Sequence, residues 1–246
     1  MLKELMKYIV EDLSQIAYIQ EGSHTFTAKP VHYLAPPLAK PAEFNTLTGF
    51  AAFVGRMLAH EAPVDGSKSD MIVRIINPNL VVLESLLTND YNQRPIIAQT
   101  ATGLQVQVFR FGEYMSVEDF LIGLKMRFVN NFHMDSLMAL VGNISFSSNI
   151  EVSDDGFTQS VGQKAGVVLK SRADLPSEIT LAPYRTFLDT IQPESPFFVR
   201  AQKNSRTDMP ELALFECDGG QWKLTAMQNI QNTLVGLIPD SVDVIL

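Results

Sequence analysis

Two segments decide the fold: LAPYRTFLDTIQPESPFFVRAQ at residues 181–202 and LALFECDGGQWKLTAMQNIQNTLVGLI at residues 212–238. Residues 196–202 and 212–217 predict strands. Asp218-Gly219-Gly220 after the second strand predicts a tight turn. Beyond this turn, apolar residues recur at four-residue steps, which predicts an amphipathic helix whose apolar stripe packs on the sheet. These apolar residues are Trp222, Ala226, Ile230, Leu234 and Ile238.

Residues 1–24 predict a separate amphipathic leading helix, because their apolar residues recur at three- and four-residue spacing. Four prolines follow in residues 22–45, and prolines do not allow a continuous helix. The apolar stripe of the leading helix is therefore a candidate interface between copies of the chain. Its residues are Leu2, Leu5, Met6, Ile9, Leu13 and Ile16.

Residues 25–142 predict an α+β unit. A helix over about residues 46–61 ends before Pro63, and strands at 71–76 and 80–87 flank the turn Asn77-Pro78-Asn79. Two further strands are predicted at 94–100 and 104–109, which completes an antiparallel meander. Ser116, followed three positions later by Asp119, predicts the start of a helix by mutual capping. A short helix is predicted over residues 134–141.

Residues 143–246 predict a β-rich unit that ends in the helix described first. Asp155-Gly156 predicts a hairpin turn between strands at 143–152 and 157–163. More strands are predicted at 165–171 and 177–182, and a last strand or tail at 242–246. Strands in consecutive runs, with helices inserted between the runs, indicate an α+β fold with predominantly antiparallel sheet and several amphipathic helices.

The composition limits the classes of function. The chain has 246 residues, 46% of them hydrophobic and only 19% charged, which favours burial of surface in a homo-oligomer. Its net charge of -8 argues against nucleic-acid binding. Salt-sensitive retention on DNA would support nucleic-acid binding again. The single cysteine, Cys217, forms no intrachain disulfide and fits a reducing cytosol. The amino terminus lacks the pattern of a secretory signal, and no apolar run is long enough to span a membrane.

The familiar catalytic and metal-binding motifs are absent. The four histidines occur neither at i, i+4 spacing nor beside a cysteine pair, so the sequence predicts no metal site and no cofactor. Phosphate-loop, dinucleotide and G-x-S-x-G patterns are missing as well. This favours a non-enzymatic protein, and it leaves open an active site assembled from distant positions.

The best candidates for a ligand site are arginines that lie near aromatic residues in sequence, because arginine pairs with anions and stacks on rings. We select Arg185, Arg200, Arg206 and Trp222 as predicted contacts for a nucleotide or another small anion. The competing interpretation is an ordinary strand surface with its rings in the core.

Several sequence blocks resemble the uncharacterised YfdQ-like family of phage and prophage proteins. They are IIAQTATGLQVQVFRFGEYMSVEDFLIGL at 96–124, NIEVSDDGFTQSV at 149–161, LPSEITLAPYRTFLDTIQPESPFFVRAQ at 175–202 and LALFECDGGQWKLTAMQNI at 212–230. The resemblance covers most of the chain after about residue 30. It implies a virus-encoded protein in the bacterial cytoplasm and supplies no catalytic residues.

Two functions therefore compete. The first is a non-enzymatic phage or prophage accessory protein that self-associates and binds a host component, with modulation of host defence as one role. The alternative is a protein that sequesters or cleaves a nucleotide or other small anion. Two measurements discriminate between these functions: the native mass of the purified protein, and a search for a small molecule that the protein releases when it is denatured.

Overall fold

The computed structural model describes residues 18–21, 24–27, 39–61, 70–86, 94–103, 108–142, 150–154, 159–165, 168–175 and 178–246. The chain divides into two compact units, Met1–Ala39 and Lys40–Leu246. In the first unit, strands β1 (Tyr18–Glu21) and β2 (His24–Thr27) pair in antiparallel fashion. Of the leading helix predicted over residues 1–24, residues 1–17, 22 and 23 lie outside the described residues, and residues 18–21 and 24 lie in these strands instead.

The described part of the second unit contains twelve strands and four helices. The strands are, in chain order, β3 (Ala42–Phe44), β4 (Met71–Asn77), β5 (Leu80–Ser85), β6 (Ile96–Ala101), β7 (Met115–Ser116), β8 (Ile150–Asp154), β9 (Gln159–Ala165), β10 (Val168–Leu175), β11 (Ile179–Leu181), β12 (Ser195–Lys203), β13 (Pro210–Glu216) and β14 (Asp243–Ile245). The helices are α1 (Leu47–Glu61), α2 (Val117–Arg127), α3 (Phe132–Gly142) and α4 (Trp222–Val235).

A five-stranded sheet has the order β14-β4-β5-β6-β3. Its three central strands are antiparallel, as the meander pattern predicts, and Asn77 closes the first turn by accepting a hydrogen bond from the Asn79 amide at 2.8 Å. The two edge strands pair in parallel, β3 with β6 and β14 with β4. A parallel pair needs a long crossover, so local turn signals do not reveal it.

Helices α1 and α4 pack against this sheet and against each other. The apolar stripe of α1 is buried at Leu47, Phe50, Val54 and Leu58, as its helical spacing predicts. The predicted stripe of α4 is likewise buried from Ala226 through Ile238, with Trp222 half-buried at its start. The buried side chains of α1 form the first hydrophobic core with Ile230, Leu234, Ile238 and side chains of β4, β5 and β6.

A second sheet has the order β11-β12-β13-β7, and its pairs are antiparallel. Helices α2 and α3 contact it and build the second core, which contains Phe120 and Phe197. The predicted start of α2 is confirmed, because the Asp119 amide donates to Ser116 Oγ at 3.1 Å while this hydroxyl donates to the Asp119 carboxylate at 2.8 Å. Helix α3 begins two residues before its predicted start.

Strands β8, β9 and β10 form a third sheet in the order β10-β9-β8, again antiparallel. The predicted strands at 157–163 and 165–171 correspond to β9 and β10 within a few residues. The predicted turn at Asp155-Gly156 lies outside the described residues, as do residues 104–107 of another predicted strand.

The observed fold is α+β with mainly antiparallel sheets, and its carboxy-terminal helix packs on a sheet, as the sequence predicts. The division into residues 25–142 and 143–246 stays a prediction, and its boundary falls on residues outside the described part. Both hydrophobic cores draw residues from each side of that boundary: the first combines residues 47–98 with 187–242, and the second combines 109–141 with 179–214.

Candidate functional site

Arg185 lies between β11 and β12 and is the most deeply buried of the predicted ligand residues. Its side chain is 3% exposed. The Nη1 atom donates to Glu216 Oε1 at 2.5 Å, and Nη2 donates to Ser195 Oγ. Asp218 Oδ2 lies 4.0 Å from Nη2. The guanidinium is thus held by one hydroxyl and two carboxylates of the same chain.

Trp222 lies against one face of this guanidinium. The Arg185 Cζ atom lies 4.1 Å from the centre of the indole ring, which is a cation–π distance. Trp222 is the first residue of α4, and its backbone amide donates to Asp218 Oδ2 at 3.2 Å. The structure therefore brings together two of the four predicted ligand residues, Arg185 and Trp222.

Asp218 connects the arginine to the start of α4. Its carboxylate accepts hydrogen bonds from Ser195 Oγ at 2.6 Å and from the Gly220 amide at 2.9 Å, in addition to the Trp222 amide. Burial alone would raise the pKa of Asp218, but these three hydrogen bonds and the charge of Arg185 hold it below its ordinary value. Gly219 and Gly220 have φ of +59° and +88°, so the turn requires glycine.

The two carboxylates of this cluster outnumber its single guanidinium, so the positive charge of Arg185 is compensated within the chain. Burial lowers the pKa of Arg185, and the carboxylates of Glu216 and Asp218 oppose that effect. Ser195 is 1% exposed and donates its proton to Asp218, so its hydroxyl is closed to a substrate from solvent. The arrangement suits a structural junction between β12, β13 and α4. We name the group of Arg185, Ser195, Glu216, Asp218 and Trp222 the arginine cluster.

The loop from Arg185 to Glu194 joins the arginine cluster to the first core. Gln192 accepts from the Arg185 amide at 3.1 Å, and its own amide group donates to the Phe187 carbonyl at 2.7 Å. Thr186 donates to the Pro78 carbonyl in the β4–β5 turn. Thr190 Oγ1 contacts Thr233 Oγ1 of α4 at 2.7 Å. These contacts fix a loop that contains no regular secondary structure.

Arg200 occupies a different position, on the outward face of β12. Its Cζ atom lies 5.4 Å from the centre of the Phe198 ring, and its Nη1 atom is buried without a hydrogen-bond partner in the described part of the chain. Burial raises the pKa of the nearby Cys217 thiol, and the charge of Arg200 opposes this with a smaller effect, so the thiol is weakly nucleophilic at neutral pH.

Arg206 lies at the far end of the β12–β13 hairpin and is exposed. It borders a cavity of about 440 Å³. Lys203 in this cavity is ion-paired with Asp208 at 3.1 Å, and Glu211 accepts hydrogen bonds from Gln202 and Asn204. The full lining is Gln202, Lys203, Asn204, Ser205, Arg206 and Glu211.

No protein-family model, curated protein or solved structure matches this chain.

The four predicted ligand residues thus occupy three places: Arg185 with Trp222, Arg200 alone, and Arg206 at the hairpin cavity. Whether any of them binds a ligand stays a prediction. The six predicted interface residues of the leading helix lie outside the described part. In the described ranges, no three histidine, cysteine, aspartate or glutamate side chains are grouped as metal ligands, and no helix is both long and apolar enough to cross a bilayer.

Sequence reasoning missed the acidic half of the arginine cluster. It identified Asp218 only as a turn residue, although the same carboxylate also faces Arg185. Glu216 lies on an exposed strand end and carried no signal of its own. A strand that ends in Glu-x-Asp before a glycine turn places both carboxylates near the following helix, and this spacing is the signal that was available.

Proposed function

We propose that this chain is a non-enzymatic accessory protein of a phage or prophage, which self-associates and binds a host component in the bacterial cytoplasm. The observation that carries the proposal is a set of exposed apolar side chains on and beside α4. Ile191 is 76% exposed, Val235 57% and Leu224 55%. Exposed apolar side chains grouped in one region are typical of protein–protein contact surfaces.

The arginine cluster supports the same proposal because it is poorly suited to binding a ligand. The Nη1 and Nη2 atoms of Arg185 already have carboxylate and hydroxyl partners, and its Nε atom, which has no partner among the described residues, is buried, so an incoming anion would have to displace Glu216 or Asp218. Displacing a carboxylate from a buried arginine costs several kcal/mol. The most conspicuous polar group of the described residues is therefore better suited to holding β12, β13 and α4 together than to capturing a ligand.

The phage assignment rests on the resemblance of residues 96–124, 149–161, 175–202 and 212–230 to the YfdQ-like family. A role in modulating host defence is part of this proposal. This role fits a protein that acts by binding a partner rather than by catalysing a reaction.

Native mass and partner binding test the proposal together. Light scattering on purified protein at micromolar concentration is expected to give a defined multiple of the 27.3 kDa chain mass. Tagged protein expressed in bacterial cells is expected to retain one host protein at fixed stoichiometry through a second purification step. A monomer that retains no host protein in either step overturns the proposal.

The alternative is a protein that binds a nucleotide or another small anion. One observation favours it: exposed Arg206 and Lys203 border a cavity of about 440 Å³, which is within the size range of small-molecule sites. Arg200, whose Nη1 atom has no partner among the described residues, is the second candidate contact, while Arg185 and Trp222 would contribute only after their internal contacts opened.

Calorimetric titration with ATP and with inorganic phosphate tests this alternative. Binding that Arg206→Ala abolishes and Arg110→Ala preserves would support the cavity, because Arg110 is exposed and lies far along the chain on another segment. Absence of heat with both probes, together with no small molecule released from the denatured wild-type protein, would exclude it.

A further inference from the structure

One face of α4 points away from both cores and forms a regular stripe. Its residues are Leu224, Gln228, Asn232 and Val235, spaced four, four and three positions apart, and all four are exposed. Ala226, Ile230 and Leu234 are buried on the opposite side of the helix. The stripe extends over about 16 Å at 1.5 Å per residue. We name it the α4 outer stripe.

The stripe contains no ionisable side chain, and Lys223 is the only one in α4. This matters because each copy of the chain carries a net charge of -8, so two copies repel each other through their net charge. A contact between copies is favoured where neither contributes charge. The α4 outer stripe meets that condition and also supplies two exposed apolar side chains.

The order of residues in the stripe is self-complementary. An apolar residue lies at each end, and two amide residues lie between them. When two such helices pack antiparallel about a twofold axis, Leu224 faces Val235 of the second copy and Gln228 faces Asn232 of the second copy. Apolar groups then meet apolar groups, and amides meet amides that can exchange hydrogen bonds. A twofold contact repeats each pair, as closed dimers require.

The surroundings of the stripe make it a preformed surface. The Asn229 side chain donates to the Ile191 carbonyl at 3.0 Å and so holds the exposed Ile191 against α4. Leu188, in the same loop, is also exposed. A single helix stripe is smaller than the roughly 800 Å² that a stable interface buries on each partner, so the contact must extend onto neighbouring surface.

The geometry points to the α4 outer stripe as the contact by which two copies of this chain pair, with their α4 helices antiparallel. The inference rests on the self-association in the proposed function and specifies its surface and symmetry. Its partner is a second copy of this chain.

Charge pairs across the twofold axis provide the test. Leu224→Glu or Val235→Lys alone places a charge against an apolar residue, and each is expected to weaken the dimer on the order of 100-fold in dissociation constant. The double variant L224E/V235K places Glu against Lys twice and is expected to recover most of the lost affinity. Met126→Glu is the matched control, since Met126 is equally exposed on α2, and it is expected to leave the dimer unchanged.

The outcomes separate this inference from the proposed function. If the wild-type protein is a dimer and neither single variant weakens it, the α4 outer stripe is not the contact between copies, although self-association itself still holds. Weakening by both single variants without recovery in the double variant overturns the antiparallel pairing. If the wild-type protein is a monomer, self-association itself is wrong. If, in addition, the L224E variant no longer retains the host protein that the wild type retains, the stripe is a contact for that host protein instead. Circular dichroism verifies that each variant is folded.

Discussion

Asp189 Oδ2 accepts two hydrogen bonds from Thr48, one from its backbone amide at 2.8 Å and one from its hydroxyl at 2.9 Å, although 141 residues separate them. Thr48 lies in the first turn of α1, where backbone amides have no partner within the helix. Thr46 Oγ1 accepts the next amide, that of Gly49, at 3.1 Å. The loop before β12 thus completes the cap of a helix from the opposite half of the chain.

Replacing Asp189 by alanine is expected to lower the free energy of unfolding by about 1 kcal/mol, the usual contribution of a helix cap. Asp189→Asn keeps an oxygen acceptor and loses only the charge at the helix start, so its effect is expected to be smaller, about 0.3–1 kcal/mol. Urea unfolding provides the measurement, with Asp240→Ala on the exposed surface as the control. Equal midpoints for Asp189→Ala and the control would contradict a capping role.

Two helical glycines are expected to respond to alanine in opposite directions. A Cβ atom at Gly55 in α1 would meet nothing within 4 Å, so Gly55→Ala is expected to stabilise the fold by about 0.5–1 kcal/mol through helix propensity. A Cβ atom at Gly123 in α2 would lie 2.8 Å from the Phe109 ring. Gly123→Ala is therefore expected to cost about 1–3 kcal/mol. The thermal unfolding midpoints of the two variants provide the measurement. Stabilisation by both substitutions would contradict the prediction for Gly123, because the Phe109 ring would then move aside without cost.

Arg185→Ala is expected to destabilise the fold by about 3 kcal/mol, because it leaves Glu216 and Asp218 without their cation. This value is near the lower end for a buried pair, since the Glu216 side chain is 35% exposed. Arg206→Ala, on the exposed hairpin, is expected to change stability by less than about 0.5 kcal/mol. Trp222 is the only tryptophan, so its fluorescence reports the loss of the guanidinium directly. Unchanged stability and emission in Arg185→Ala would refute the structural role of the arginine cluster.

The lowered pKa of Asp218 predicts a contribution to acid stability. In the unfolded chain its pKa returns to the ordinary value of 3.8. A carboxyl group whose pKa is lower in the folded state stabilises the fold at pH values above that ordinary value and loses this effect as pH falls through the lowered pKa. Wild-type protein is therefore expected to lose stability more steeply than Asp218→Asn between about pH 5 and pH 2.

Thermal unfolding midpoints measured across this pH range test the contribution of Asp218. Asp240→Asn serves as the control, because Asp240 is exposed. Parallel pH profiles for wild type and Asp218→Asn would show that the carboxylate does not stabilise the fold in its charged form.

Local patterns predicted most of the secondary structure because the signals involve near neighbours. Ser116 and Asp119 are three residues apart and cap α2 together, and Asn77 closes the β4–β5 turn that contains it. The stripe from Ala226 to Ile238 is buried as a core face. In each case the residues that determine the structure are within one or two turns of chain, so no knowledge of the tertiary fold is needed.

The long-range arrangement followed no local rule. The parallel pairs β3–β6 and β14–β4 depend on where distant segments meet, and the contact of Asp189 with Thr48 has no counterpart in sequence spacing. Residue type selected Arg185 and Trp222 as contacts of a ligand, but their contact with each other and the acidic partners of the arginine, Glu216 and Asp218, were recognised only in three dimensions. Residue chemistry therefore identified two members of the arginine cluster, while the fold determined that they contact each other.

The parallel pairing of β14 with β4 also affects folding during synthesis. All members of the core around α2 and α3 have been synthesised once residue 214 has left the ribosome, whereas the core around α1 still lacks Ile230, Leu234, Ile238 and Val242. The earlier half of the chain consequently keeps an incomplete apolar surface until the later half arrives. In a growing chain, the core around α2 and α3 is therefore complete first. The strands β3 to β6 wait longest for their remaining partners, so chaperones have the most time to bind them.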